Sequence, residues 1–330
     1  MPSASSPYPF PLPAFPWKCE PHPCIDAMED WVTESIEKHL GDLPRGATRK
    51  YKDQKLGAAA GVILPYGSLE RVRPAALAML YTTVADDYYE FAEPEKTLAA
   101  ADRMHNVILG APAGPDDPGF LRLAAQAGQE LRSFMPMEYV MRYAESLRAW
   151  LAHGVGRESA YRRARLIPPI TELLAIRDYS IGVVFCLPLV ELVLEQPLSP
   201  ATAAHPLLGK LGKLVARMVV VQNDIASICR EQERQGRGEV LNIILAVQHH
   251  WSLSLDLGYQ YALHLGSRAA DEFAFLQANL PDFGAETELV REYVGLLACM
   301  PGAWDGWYRT TLRYSTAHPE TDWIHPSTAA

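Results

Sequence analysis

The sequence predicts an all-α protein organised as a single domain, and three observations carry that prediction. Apolar residues recur at intervals of three and four through most of the chain, the pattern of helices that bury one face. No run alternates with period two for long, and nowhere do a strand, a Gly-rich turn and a helix follow one another. Neither an internal repeat nor a long linker divides the 330 residues, of which 48% are hydrophobic and 21% charged, enough apolar material for one large core.

The first two dozen residues, MPSASSPYPFPLPAFPWKCEPHP, are rich in proline and aromatics. Proline resists both helix and strand, so residues 1–23 read as a strap laid across another surface, without the basic start and apolar run of a secretory signal. From about Cys24 the pattern is helical, in CIDAMEDWVTESIEKHL, PAALAMLYTTVADDYYEF, LRLAAQAGQELRSFMPMEYVMRYAESLRAWL and HPLLGKLGKLVARMVVVQNDIASICRE. Breaks fall at Pro94, in the loop Gly110 to Gly119, at Ile167 to Ile170 and at Gln235 to Glu239. The domain is expected to span 24–316, with 317–330 as a tail.

Charge and cysteine usage narrow the function. A net charge of −9 and a pI near 5.6 argue against a nucleic-acid surface. The most apolar segment, Ser180 to Leu194, is too short to span a bilayer and contains Pro188 and Glu191. Five scattered cysteines, Cys19, Cys24, Cys186, Cys229 and Cys299, show neither zinc-ligand spacing nor a dense disulfide pattern, so a soluble protein of the reducing cytoplasm is expected, as monomer or homodimer.

Three constellations could carry chemistry. Asp86 and Glu90 lie four apart and share one helical face, with Asp87 beside them. Carboxylates this close raise one another's pKa unless a cation sits between them, and hard oxygen ligands suit Mg²⁺. Asn223, Ser227 and Glu231, at i, i+4 and i+8 after the apolar run LVARMVVVQ, put an amide, a hydroxyl and a carboxylate on one stripe facing a lined cavity. The third set is cationic: Arg177, 46 positions before Asn223, and Arg313 beside Tyr314, whose guanidinium forks match diphosphate oxygens.

Together these residues resemble the class I terpene synthases of bacteria and fungi. DDYYE at Asp86 to Glu90 is similar to that family's aspartate-rich motif, and NDIASICRE at Asn223 to Glu231 matches its second metal motif, (N/D)DxxSxx(K/R)E, without a mismatch. A chance match to even four of its specified positions somewhere in a chain of this length and average composition is on the order of a few in a thousand. The resemblance runs from about Trp17 to Tyr314 and implies the class I terpenoid synthase helical bundle around a central apolar cavity. It implies a prenyl diphosphate substrate and three Mg²⁺ ions, with Asp86, Asp87, Glu90, Asn223, Ser227 and Glu231 as metal ligands. It also implies diphosphate contacts from Arg177, Arg230, Arg313 and Tyr314, Asp178 as the linker of Arg177, and Gly182 as the helix break whose carbonyl faces the pocket.

Carbocation chemistry requires walls that stabilise positive charge without capturing it, and aromatic faces do so. The candidates are Tyr81, Tyr179, Phe185, Trp304 and Trp307. Thr82, Thr83 and Ala85 stand where bacterial relatives often carry bulky aromatics, and Met300 where tryptophan is frequent. The cavity is therefore expected to be wide, with farnesyl diphosphate as the lead substrate and geranylgeranyl diphosphate as the alternative. A chain-elongating prenyltransferase is the rival within the fold, disfavoured because its second DDxxD is replaced here, and a non-catalytic helical binding protein is the rival from another class. The strap at Pro7 to Pro16 and the loop at Gln235 to Glu239 are expected to close the site. Asp116 and Asp117 read as a turn, His249 and His250 as surface, Cys229 as core, and Asp224 as a bystander explained by packing.

Overall fold

A computed structural model describes residues 9–41, 43, 45–234 and 241–314. Among them there is no strand. Fifteen α-helices account for most of the described chain: α1 (Ile25–His39), α2 (Arg45–Asp53), α3 (Leu56–Ile63), α4 (Leu69–Tyr89), α5 (Pro94–Ile108), α6 (Gly119–Phe134), α7 (Met137–Ala149), α8 (Gly156–Ala164), α9 (Ile170–Ser180), α10 (Val183–Leu189), α11 (Pro200–Ala203), α12 (Pro206–Arg234), α13 (Ile243–Trp251), α14 (Leu255–Ala278) and α15 (Thr287–Tyr308). A π-helical segment, Trp150–Val155, joins α7 to α8.

Helix α4 is buried from Ala75 to Thr82 without interruption and packs on α1, α3 and α6, which explains why its sequence is apolar nearly all round. The 29-residue α12 packs against α14 and α15. At about 1.5 Å per residue it is long enough to cross the whole bundle, and it delivers the stripe from Asn223 to Glu231 at its far end. Between α9 and α10 the chain turns at Gly182, whose φ of +85° lies in the left-handed region open to glycine. The span from Ile170 to Val193 is apolar and long enough to cross a bilayer, but this break interrupts it and half of its residues are buried in the bundle.

The described part of the strap carries no helix and crosses α14 and α15. Phe10 stacks on Tyr259 at 4.4 Å, Tyr259 donates to the Pro11 carbonyl at 3.0 Å, and the Trp17 indole donates to Gln277 at 3.0 Å. One expectation is corrected here. Cys19 and Cys299, 280 positions apart and invisible as a pair in sequence, come within 5.5 Å at Cα and form a disulfide. No described strap residue lines the cavity, and this part of the strap is held to α14 and α15. Residues 1–8 and the expected closing loop at 235–239 lie outside the described residues, as do 315–330.

Asp117 accepts hydrogen bonds from the Gly114 amide and from Arg103, the turn role expected of it. His249 and His250 are exposed, and the His250 ring meets the Pro168 carbonyl at 2.9 Å.

Candidate active site

The C-terminal end of α4, α8, the α9/α10 break, the second half of α12 and the end of α15 surround one cavity. Its lining combines charged and polar side chains with apolar and aromatic ones. Asp86, Asp87 and Glu90 reach it from α4, and Asn223, Ser227 and Glu231 from α12, so two oxygen-bearing helix faces meet across the mouth.

The three carboxylates of the first motif have separate partners. Asp87 accepts from Lys50 at 2.7 Å and from Tyr51 at 3.0 Å. Burial pushes its carboxyl up, but Lys50 and then Arg313 outweigh it and bring it down to about 2. Glu90 pairs with Arg162 at 3.4 Å and with Arg234 at 3.9 Å. Among the described residues Asp86 has only Arg313 as a close cation, at 3.7 Å, and burial followed by the repulsion of Glu158 raises it to about 7.

On α12, Asn223 stands at the centre of a relay. Its amide oxygen accepts from Arg177 at 2.7 Å and its nitrogen donates to the Tyr314 hydroxyl at 2.8 Å. The Ser227 hydroxyl donates to the Asn223 carbonyl at 2.8 Å, a helical back-bond that leaves its lone pairs toward the cavity. Glu231 accepts from Asn242 at 2.6 Å, while the Asn242 side-chain oxygen caps α13 through the Ile244 amide at 2.9 Å. Asn242 thus fixes the last residue of the stripe, a role with no signal in the sequence beyond an Asn ahead of an apolar run.

Arg313 donates to the Gln54 side chain at 2.7 Å, and Arg230 donates to the Arg313 carbonyl at 2.8 Å, so Arg313 is held at the cavity by α12 and by the α2–α3 turn. In the lining, Trp150 and Phe185 pack edge to face at 5.4 Å, and Trp304 and Trp307 do the same at 5.2 Å. The Trp307 indole nitrogen is tied to the Gln54 and Lys55 carbonyls. Thr82 donates to the Ala78 carbonyl at 2.6 Å, so the wall there is effectively its methyl group.

Several assignments change. Tyr81 and Tyr179 do not line the cavity: Tyr81 is fully buried and shares a hydrogen bond with Tyr143, and Tyr179 packs on His153. Both lie on α4 and α9 at positions that helical periodicity alone could not orient. Ala85 and Met300 are also buried outside the lining. Asp178 pairs with Arg217 at 2.8 Å and not with Arg177. The Gly182 carbonyl accepts from the Phe185 and Cys186 amides as the first turn of α10, so it is directed along the helix and not into the pocket. Asp224 is no bystander: it is buried, ion-paired to Arg177 at 2.5 Å, and accepts from the Ile243 amide at 2.7 Å. Four further cavity residues, Trp150, Glu158, Arg162 and Tyr308, carried no recognisable motif.

The oxygen donors fit a hard divalent cation. Among the described residues no group of three or more His, Cys, Asp or Glu side chains stands close enough to chelate a metal alone. An ion here needs ligands from two helices, including the neutral oxygens of Asn223 and Ser227, and further oxygens from outside the protein. Asp86, partly exposed to the cavity and with its carboxyl raised, is where added positive charge is most favourable.

An all-α bundle with acidic and amide oxygens facing each other over an aromatic cavity defines the class I terpenoid synthases. The chain belongs to the terpene synthase family: the family model for terpene synthase family 2, C-terminal metal binding, matches residues 78–271. It is therefore an enzyme, a terpene synthase of the bacterial and fungal type that acts on a prenyl diphosphate. Pristinol synthase of Streptomyces pristinaespiralis is 25% identical over 283 residues, covering 81% of this chain and 75% of that protein. The (+)-T-muurolol synthase of Roseiflexus castenholzii is 22% identical, covering 89% of this chain and 91% of its own length. Among solved structures, a variant of cucumene synthase superposes with a TM-score of 0.76 at 21% identity, over 92% of this chain and all of that one. Linalool/nerolidol synthase from Streptomyces clavuligerus, in complex with 2-fluorogeranyl diphosphate, superposes at 0.78 with 16% identity, over 88% of this chain and all of that one.

Proposed function

We propose that the protein ionises farnesyl diphosphate and cyclises the resulting allylic cation to a sesquiterpene hydrocarbon or alcohol. The observation that carries this reading is the opposition of Asp86 on α4 to Asn223, Ser227 and Glu231 on α12, above a cavity walled by Trp150, Phe185, Trp304 and Trp307. The C15 assignment is supported by a relative whose name specifies cyclisation of (2E,6E)-farnesyl diphosphate. The C20 alternative rested on small residues at 82, 83 and 85, and Ala85 is outside the lining.

Asp86, Asn223, Ser227 and Glu231 would hold Mg²⁺, three ions by analogy with the family, with Asp87 and Glu90 supporting from α4. Bound there, Mg²⁺ supplies Lewis-acid stabilisation of the negative charge that develops on the leaving group. Arg177, Arg230 and Arg313 bind the diphosphate oxygens and Tyr314 donates a hydrogen bond to them, so charge separation occurs in a preorganised positive field. Gly182 contributes by breaking the α9/α10 helix at the wall of the cavity. The aromatic walls then face the cation with ring quadrupoles and carry no nucleophile. Tyr314 and Arg313, which line the cavity, exclude water while the cation survives.

The test is incubation of purified protein with Mg²⁺ and the C10, C15, C20 and C25 diphosphates, with volatiles identified by mass spectrometry. A cyclic C15 product is expected. Cyclic product from C20 alone would overturn the substrate assignment, and a longer linear product when isopentenyl diphosphate is added would overturn cyclisation.

A further inference from the structure

Glu158 belongs to neither metal motif, yet it lines the cavity with its side chain only 5% exposed. One of its oxygens lies 3.5 Å from Arg177 Nη1 and the other 3.4 Å from Arg162 Nη2. The first oxygen accepts no hydrogen bond. Buried carboxylates in purely structural roles are normally saturated with close hydrogen bonds, because desolvation is costly. Glu158 instead makes two long contacts to cations that face the same cavity.

Its place is set by rigid packing. At Gly154 an added Cβ would fall 2.7 Å from the Ser180 Cα, so the π-helical segment before α8 touches α9 backbone to backbone, three residues beyond Arg177. The Ser159 hydroxyl donates to the Ala92 carbonyl at 2.6 Å, tying α8 to the chain just after Glu90. Arg177 is consequently gripped from both sides, by Asp224 on Nη2 and by Glu158 on Nη1.

We propose that Glu158 is a positioning residue, which fixes the Arg177 guanidinium toward the diphosphate and orders Arg162 beside it. This rests on the reading that the cavity takes a prenyl diphosphate. Charge and geometry predict opposite outcomes for its removal. As a bare negative charge near an anion, Glu158 would weaken binding, and Glu158→Gln would tighten it. As a positioning group, its neutralisation releases Arg177 and weakens binding.

The experiment is calorimetric titration of the protein with inorganic pyrophosphate in the presence of Mg²⁺, with steady-state kinetics beside it. Positioning predicts that Glu158→Gln weakens pyrophosphate binding about tenfold, the scale on which lost orientation is felt, and lowers kcat more than it raises KM. The losses from Glu158→Gln and Arg177→Gln should be non-additive. Unchanged or tighter pyrophosphate binding in Glu158→Gln, or additive losses, would overturn the proposal. Should Glu158→Gln show no cooperative melt, Glu158→Asp decides: withdrawing the carboxylate by one methylene should weaken binding, and affinity equal to or above the unsubstituted protein overturns it. Failure of the unsubstituted protein to bind pyrophosphate would count against the diphosphate reading itself.

Discussion

Asp224 holds Arg177 at 2.5 Å through one carboxylate oxygen and accepts the Ile243 amide at 2.7 Å through the other. One buried carboxylate therefore joins α9, α12 and the start of α13. Replacing it with alanine leaves a buried guanidinium without its nearest counter-charge, which costs about 3–5 kcal/mol for a broken buried pair. Asp224→Ala should show a large fall in its urea unfolding midpoint, and an unchanged midpoint would show the pair to be dispensable.

Asp86 contrasts with it, because among the described residues no close hydrogen bond depends on its carboxylate. Asp86→Ala is expected to lower kcat/KM by about a hundredfold or more, as loss of a Mg²⁺ ligand should, while the thermal midpoint does not fall. The same turnover loss is expected for Glu231→Ala. Near-normal activity in either variant would mean the ions bind elsewhere.

The aromatic walls give a paired test. Phe185→Leu and Trp304→Leu should redistribute products, since barrier changes of about 1.4 kcal/mol alter branching tenfold. Tyr179→Phe, outside the lining, should leave the product ratio unchanged. Gas chromatography of the product mixture reads both.

The Cys19–Cys299 disulfide clasps the strap to α15. Thiol titration of denatured, unreduced protein should find three free cysteines of the five. Reduction should destabilise the protein by about 2–4 kcal/mol, the usual scale for a disulfide, seen as a lower urea midpoint.

Asp117 supplies a pH dependence. The Arg103 hydrogen bond, opposed by a smaller desolvation effect, holds its folded-state pKa below the ordinary 3.8. Its contribution is therefore fully present above about pH 4, near the unfolded carboxylate value, and is lost as the pH falls through the lower folded value. Asp117→Asn should cost up to about 1 kcal/mol at pH 6, since the pair is partly exposed and screened by solvent, and the difference should shrink toward pH 3.

The sequence by itself determined the all-α class and displayed both candidate metal motifs. Helical periodicity and i, i+4 ligand spacing are local properties, and Asn223, Ser227 and Glu231 share a stripe in any helix that contains them. The arginine set was legible only through the family resemblance, because Arg177 and Asn223 lie on separate helices and no local spacing relates them. Only the tertiary structure decided that Tyr81 and Tyr179 turn away from the cavity and that Trp150 and Tyr308 turn toward it, because periodicity does not say which apolar face meets which neighbour. The Asp224 and Glu158 clamp on Arg177, the Asn242 brace on Glu231 and the Cys19–Cys299 bond join residues from separate elements. Their partners are chosen when the helices pack, and that choice leaves no local pattern in the chain.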